Sequence, residues 1–255
     1  MEDILAALAA QHAELDELLA GRSEAEWRHP SPCAGWDAAD VLLHLEQTDR
    51  LAVASLDGTF AAVMEDFARS LADADDVAPS IDAAADWQVA QERGAPGAVI
   101  AAQWAEQAAA LRESFAATDP SVRVPWVAGT LSVRTLATTR LAECWIHTTD
   151  IAVAFGTEVA PTDRLRYVAR LAWRTLPYAF TRVGRDAPGP VAFELTGPDG
   201  DPWVFTPEEP ANTTVRGSGA DLCRVAGRRL DPADADLTAE GPDAEAVLEL
   251  VRTYA

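Results

Sequence analysis

The sequence is poor in basic residues. Its 255 residues include 20 basic side chains (Lys and Arg together) against 41 Asp and Glu side chains, so the formal net charge is −21. A chain this acidic is repelled by nucleic acids and by anionic membrane surfaces. We therefore expect neither a nucleic acid nor a membrane as its partner. The acidic residues are interpreted as a solvated surface that keeps the protein soluble.

Cysteine and long apolar runs are also scarce. The three cysteines, Cys33, Cys144 and Cys223, are far apart and form no CxxC pair, so the sequence predicts no disulfide framework. No apolar run approaches the roughly 20 residues that a membrane-spanning helix needs. The acidic N-terminus lacks the basic start of a secretory signal peptide. These absences predict a cytoplasmic protein whose thiols are reduced.

Helical periodicity dominates residues 1–183. Apolar residues make up 49% of the chain, which is enough for a sizeable core. Helices are expected over 1–19, from Asp37 through the fifties, in the sixties and seventies, in the eighties, over 96–115, from Ser132 to Phe155, and from Pro161 to 180. The Pro/Gly segment HPSPCAGW is expected to connect two helices, and SVRVPWVAGTL is expected to be a loop. Long helices joined by short connections predict an antiparallel bundle.

The periodicity changes after the segment GRDAPGP. Strands are expected at VAFEL, WVF, NTTVRG and ADLTAEG, with helices at ADLCRVAGRR and DAEAVLELVRTY. Residues 190–255 are therefore predicted to form a small α+β domain that follows the helical domain of residues 1–183. For its assembly we expect a monomer or a small homo-oligomer.

One helix carries an unusual polar stripe. The segment LAECWIHTTDIAVAF is strongly apolar, yet Glu143, His147 and Asp150 occur at i, i+4 and i+7 and so share one face. Burying a carboxylate costs several kcal/mol unless it is paired or binds a metal. This helix offers Glu143 no lysine as a partner.

A divalent cation would satisfy this stripe. Glu143 and His147 supply two ligands from one helix, and His44, in VLLHLEQ, could supply a third from a facing helix. Three nitrogen and oxygen ligands with an open position are typical of a catalytic zinc site. Asp150 and Asp40 could accept the second N–H of the two imidazoles. The alternative is that each histidine is a hydrogen-bonded residue of the core.

Two motifs resemble a known family. They are PSPCAGWDAADVLLHL, within Trp27–Leu45, and LAECWIHTTDIAVAFG, over Leu141–Gly156. Both are similar to motifs of the mycothiol-dependent maleylpyruvate isomerase family, which belongs to the DinB-like helical bundle superfamily. The resemblance implies a DinB-like bundle in which His44, Glu143 and His147 bind a divalent metal, usually zinc.

The C-terminal part resembles the same family more weakly. The segment GSGADLCRVAGRR matches the pattern of the family's α+β domain, so the resemblance covers nearly the whole chain. Three segments, around Arg93, Trp126 and Trp203, indicate a less characterised branch. The fold and the metal site are expected to carry over, whereas the substrate need not.

The resemblance also implies a chemistry. The family's isomerase uses mycothiol, the low-molecular-weight thiol of actinobacteria. A zinc ion with an open position can bind and deprotonate a thiol. The thiolate can add to an activated cis double bond and leave after rotation, which isomerises the substrate. It can instead stay attached to an electrophile, which makes the protein an S-transferase.

Candidate substrate-binding residues follow from charge. Arg228, on the C-terminal motif, and Arg93 are candidates for binding a substrate carboxylate, although both could be surface arginines. The thiol is predicted to bind in a groove between the two domains. We expect it to come from outside the chain, because Cys144 is expected in the core and Cys33 in the connector. Two alternatives stay open: a metal-dependent hydrolase with Asp150 or Asp40 as base, and a non-catalytic bundle that binds a metal or a small ligand.

Overall fold

The chain forms two compact units, residues 1–159 and residues 160–255. The structure is a computed structural model that describes residues 1–72, 81–127 and 129–253. None of the helices in these described ranges is long and apolar enough to cross a membrane.

The first unit is mainly helical. Its elements, in chain order, are α1 (Glu2–Leu19), α2 (Glu24–Trp27), α3 (Ala38–Asp57), α4 (Phe60–Ala72), α5 (Ile81–Glu92), α6 (Gly97–Ala117), β1 (Arg123–Trp126), β2 (Gly129–Ser132) and α7 (Val133–Ala154). Helices α1 and α3 each pack against α6 and α7, so these four long helices make a bundle. Its core contains Leu15, Leu42, Trp104 and Ile151, which are almost completely buried.

Local sequence fixes where α3, which carries His44, and α7, which carries the polar stripe, begin. Asp37 and Asp40 form a capping box at the start of α3, each carboxylate accepting from the other residue's backbone N–H at 2.9 and 3.1 Å. The predicted cap of α7 is confirmed, because the Ser132 hydroxyl accepts from the backbone N–H of Thr135 at 3.2 Å. These caps define the first turn of each helix.

Residues 121–131 were expected to be a loop, and this prediction is wrong for most of them. Strands β1 and β2 form a short antiparallel hairpin in which Val124 pairs with Leu131. Val124 and Trp126 alternate with exposed neighbours and are buried. This alternation over four residues was too short to distinguish from a loop, since Pro125 also argues against an interior strand.

The second unit combines helices with a small sheet. Its elements are α8 (Leu165–Arg182), β3 (Val191–Thr196), β4 (Pro202–Phe205), β5 (Thr213–Ser218), α9 (Gly219–Ala226), β6 (Leu237–Glu240) and α10 (Ala244–Leu250). The strand order is β4-β3-β5-β6, with β3 and β5 parallel and the outer pairs antiparallel. The predicted change from helical to strand periodicity after Pro190 is confirmed.

Helix α8 belongs to this second unit. It packs against α9, α10 and β4, and Trp173 donates to the carbonyl of Val191 at 2.8 Å and stacks on Phe205. The boundary therefore lies near residue 160, whereas the sequence places it after residue 183. The difference has a simple origin, because helical periodicity shows that α8 has an apolar face but not which unit covers that face.

Candidate metal centre

In the polar stripe of α7, His147 contacts both Glu143 and Asp150. The Nε2 atom of His147 lies 3.6 Å from Oε2 of Glu143, and its Nδ1 atom lies 2.9 Å from Oδ2 of Asp150. The side chains of Asp150 and His147 are 0% and 8% exposed, and that of Glu143 is 14% exposed. The imidazole thus stands between two carboxylates in an otherwise apolar helix.

Helix α3 adds a third donor. The rings of His44 and His147 meet edge to face, with their centroids 5.2 Å apart. One ligand atom from each of His44, Glu143 and His147 lies within 4.8 Å of the other two. The structure therefore brings together the three residues that the sequence assigns to the metal.

Electrostatics prepare two of these residues as donors. Burial, together with the charge of His147, lowers the pKa of His44 to about 3, so this imidazole is neutral at pH 7. Burial alone would raise the pKa of Glu143, but its contact with His147 and the charge of Arg140 outweigh burial and lower the pKa to about 2. A neutral imidazole and an ionised carboxylate are the forms that bind a cation.

His147 behaves in the opposite way. Burial alone would lower its pKa, but the contacts with Asp150, Cys33 and Glu143 raise that pKa well above its usual value. Two carboxylates close to one imidazole favour a positive charge at this point. A divalent cation at the Nε2 side would supply that charge.

The donor set fits a divalent ion on chemical grounds. Two imidazole nitrogens and one carboxylate oxygen are ligands that zinc accepts, and three protein ligands leave a position open. The Nδ1–H of His147 donates to Asp150, which leaves Nε2 on the side of Glu143. A carboxylate on the far nitrogen is the usual support of a metal-binding histidine.

A buried ion pair lies behind the cluster, and sequence reasoning missed it. Arg140 donates through Nε to Asp49 at 2.9 Å and through Nη2 to Thr48 at 2.8 Å. Thr48 in turn donates to the carbonyl of His44 at 2.9 Å. The side chains of Arg140 and Asp49 are 1% and 3% exposed. A sequence signal was available, because both charges fall on inward faces of α3 and α7.

Cys33 lies in the connector, as expected, but the sequence did not predict that it also lies close to the candidate metal centre. Its Sγ atom donates to Oδ2 of Asp150 at 3.3 Å, and it lies within 4.8 Å of ligand atoms of both Asp150 and His147. Cys144, as expected, is buried in the core. The position of Cys33 depends on how the connector folds back on α7 across 117 residues of sequence, which no local pattern encodes.

Asp40, a candidate base, and Arg93, a candidate for binding a substrate carboxylate, contact each other. Arg93 donates through Nε to Asp40 at 2.9 Å and through Nη2 to the carbonyl of Gly35 at 3.3 Å. The hydrogen bonds of the Asp40 carboxylate go to Arg93 and to the backbone of Asp37, and not to His44. Asp40 therefore does not give His44 the support that Asp150 gives to His147.

Arg228 belongs to the second unit and follows α9. It has a left-handed backbone, with φ of 60°, and its Nη1 donates to the carbonyl of Glu249 at 3.4 Å. Burial, together with the charge of Arg252, lowers its pKa. Its role in binding an anion stays a prediction.

A surface groove of about 470 Å³ lies elsewhere on the bundle, between α3 and α6. Its lining includes Glu46, Arg50, Glu92 and Glu106, but none of the predicted site residues. This groove therefore does not lie at the candidate metal centre.

The chain is similar to a known family and to two proteins of Mycobacterium tuberculosis. Residues 8–152 match the family model described as the mycothiol maleylpyruvate isomerase N-terminal domain. Two curated relatives are uncharacterized proteins from two strains of Mycobacterium tuberculosis. Each is 32% identical over 261 residues, which covers 98% of this chain and 95% of the relative.

The solved structures agree in fold. A crystal structure of the mycothiol-dependent maleylpyruvate isomerase superposes with a TM-score of 0.61 at 19% identity, covering 95% of each chain. A mutant of that isomerase superposes with a TM-score of 0.60 at the same identity and coverage. The predicted fold, a DinB-like helical bundle followed by a small α+β unit, is confirmed. With the family model covering more than half of its residues, the chain belongs to the mycothiol maleylpyruvate isomerase family.

Proposed function

We propose that the protein is a metal-dependent enzyme that activates a low-molecular-weight thiol of the mycothiol type. The thiol would isomerise a small electrophilic substrate from cis to trans, or would be transferred to it. Zinc is the expected ion. The observation that carries the proposal is the convergence of His44, Glu143 and His147 within 4.8 Å in a chain of this family.

The residues of the chain divide the work in this proposal. When bound, the divalent cation would supply the positive charge that lowers the pKa of a thiol. Glu143 and the two imidazoles would hold the ion, and Asp150 would keep the His147 ring in its orientation through Nδ1. Glu143 also keeps the charge of the site low, because one carboxylate and two neutral imidazoles leave a divalent ion with one net positive charge.

Exposure of the cluster is consistent with access by a small molecule. His44 and Glu143 are partly exposed, whereas Asp150 is buried on the opposite side of the His147 ring. A thiol would therefore approach from the side of His44 and Glu143. Arg93 and Arg228 stay the candidates for holding an anionic group of the co-substrate.

The hydrolase alternative has less support from the described contacts. A base that activates water needs a carboxylate free to accept a proton beside the ion. Asp150 accepts from His147 and Cys33, and Asp40 accepts from Arg93. Each candidate base is thus engaged in holding another side chain.

Calorimetry of the zinc-loaded protein with mycothiol tests the proposal. We expect the loaded protein to bind the thiol, and the His44→Ala variant, which lacks one ligand, not to bind it. Isomerisation of maleylpyruvate, or conjugation of the thiol to an activated alkene, is expected only when the thiol is present. His12→Gln is a control, because it changes an imidazole of the bundle that belongs to neither group of possible metal ligands among the described residues.

The possible outcomes separate the three readings. Thiol binding that is equal in the loaded protein and in metal-free His44→Ala would contradict the proposal. Turnover of an ester or amide without added thiol would favour the hydrolase. Metal binding with neither thiol binding nor turnover would leave a non-catalytic bundle.

A further inference from the structure

The connector between α2 and α3, residues 29–37, is closed by its own hydrogen bonds. The Ser31 N–H and hydroxyl both donate to the carbonyl of Trp36 at 2.9 Å, and the Trp36 N–H donates to the carbonyl of Cys33 at 3.0 Å. Pro30 and Asp37 form an isolated bridge at its base. Gly35, with φ of +81°, occupies a conformation that a residue with a Cβ rarely adopts. The connector is therefore a built loop with defined side-chain positions.

This connector touches both histidines of the metal cluster. The ring of Trp36 lies against His44, with centroids 5.1 Å apart. On the other side, Cys33 donates to Oδ2 of Asp150, and the same oxygen accepts from Nδ1 of His147. A continuous path of contacts thus runs from the thiol through a carboxylate to the imidazole.

Burial makes the hydrogen bonds to Asp150 important for its position. The Asp150 side chain is 0% exposed, so a lost donor cannot be replaced freely by solvent. Two donors on one oxygen restrict the side-chain torsion of the Asp150 carboxylate. The position of this carboxylate in turn restricts the plane of the His147 imidazole that donates to it. The direction of Nε2, which would meet the ion, follows from that plane.

We infer that Cys33 is a positioning residue of the metal centre, which acts by hydrogen-bonding Asp150 and so orienting His147 towards the ion. The inference rests on the proposed metal centre but not on the proposed thiol chemistry. It also explains why the connector is built tightly, because a mobile loop would not hold Sγ at one place.

Direct coordination by Cys33 is the competing role. Cys33, His147 and Asp150 themselves form a group of possible ligands within 4.8 Å. In that group, however, Nδ1 of His147 already donates to Asp150 at 2.9 Å, and the thiol lies beside that carboxylate. The other set, with His44 and Glu143, leaves Nε2 for the ion, so the positioning role is the better fit.

The test compares Cys33→Ser with Cys33→Ala in the full chain. Serine keeps a donor at the same place, whereas alanine removes it. Zinc affinity, measured by competition with a chromogenic chelator, is expected to fall about ten-fold in the alanine variant, as for other groups that orient a metal-binding histidine. The serine variant is expected to stay within about three-fold of the parent. Cys223→Ala removes a buried thiol of the second unit and serves as the control.

Cobalt substitution separates positioning from coordination. The Co²⁺ protein is expected to show no thiolate-to-cobalt charge-transfer band in the near ultraviolet. A band that disappears in Cys33→Ser would make Cys33 a ligand and would overturn the inference. Equal zinc affinity in the parent and Cys33→Ala would also overturn it while leaving the proposed function intact. If the parent bound no divalent ion, the proposed function would fail and the inference with it.

Discussion

Two histidines of the bundle, His12 and His44, have similarly lowered pKa values but different neighbours. Burial lowers the pKa of each to about 3. His12 is held at Nδ1 by Arg112 at 2.6 Å and lies edge to face against Trp104. His44 instead faces a second imidazole and a carboxylate, Glu143.

The comparison shows that burial does not by itself mark a metal ligand. A cation and an indole offer His12 no further ligand atom, and within the described part of the chain His12 belongs to neither group of possible metal ligands. Around His44, the neighbouring donors complete a candidate ligand set. The charge and donor atoms of the neighbours therefore decide the role, and the pKa of the histidine does not.

The largest expected effect separates the two histidines by metal content. Protein purified without chelator should contain about one divalent ion per chain if three ligands hold it. His147→Ala should lose that ion completely, because two remaining ligands hold it weakly, while the far-ultraviolet circular dichroism stays helical. Elemental analysis measures both proteins.

His12→Gln provides the contrast. It should retain the ion, since His12 contributes to neither ligand group. Loss of metal in His12→Gln, or full retention in His147→Ala, would remove the distinction between the two sites.

The ion pair of Arg140 and Asp49 acts on both histidines, because Arg140 lowers the pKa of His12 and of His44. Arg140→Met should destabilise the first unit by about 3–5 kcal/mol, since it leaves a buried carboxylate without its partner. Urea unfolding of the metal-free protein measures this change.

An exposed pair calibrates that result. Arg216 and Glu194 are joined at 2.8 Å but are 44% and 47% exposed, so Arg216→Met should cost no more than about 1 kcal/mol. The double variant Arg140→Met with Asp49→Leu should recover much of the loss. A loss at Arg140 as small as that at Arg216 would mean that water reaches the pair.

The smallest expected effect is a pH dependence that isolates His12. Its pKa is lower in the folded protein, about 3, than its usual value of 6.5, so the folded state binds fewer protons. The stability that it contributes is complete above pH 6.5 and is lost as the pH falls towards 3. Between pH 7 and pH 5 the loss should be about 2 kcal/mol.

His12→Gln should remove this part of the pH dependence. The measurement is the difference in unfolding free energy between parent and variant, in metal-free protein, at pH 7 and at pH 5. Because His44 and His147 are present in both proteins, their titration cancels. A constant difference at the two pH values would show that His12 is not shielded from protons.

The candidate metal cluster could be predicted from sequence where regular helical periodicity governs it. Glu143, His147 and Asp150 share a face because they follow helical spacing. His44 was expected as a third ligand from a facing helix, and the resemblance implies the same three metal ligands. The connector could not be predicted in the same way, since the approach of Cys33 to Asp150 depends on a loop closed by backbone hydrogen bonds. A local pattern describes a single element, whereas the contact belongs to two elements far apart in sequence.

The remaining differences have the same cause. The hairpin of β1 and β2 is too short for alternation to identify it, and the assignment of α8 depends on which surface covers its apolar face. The buried pair of Arg140 and Asp49 was also missed, because each charge looks unpaired within its own helix. Helices and strands were thus easier to predict than the surfaces and residues that they contact.

The spacing of the site along the chain has a consequence for the order of events during synthesis. Asp49 and Arg140 are 91 residues apart, and Cys33 and Asp150 are 117 residues apart. Neither contact can form before its later residue has been synthesised, and loops of this length are slow to close. A nascent chain that ends before α7 holds one of the three predicted ligands, His44. In the proposed metal centre, an ion could therefore be held by all three ligands only after most of the bundle has left the ribosome.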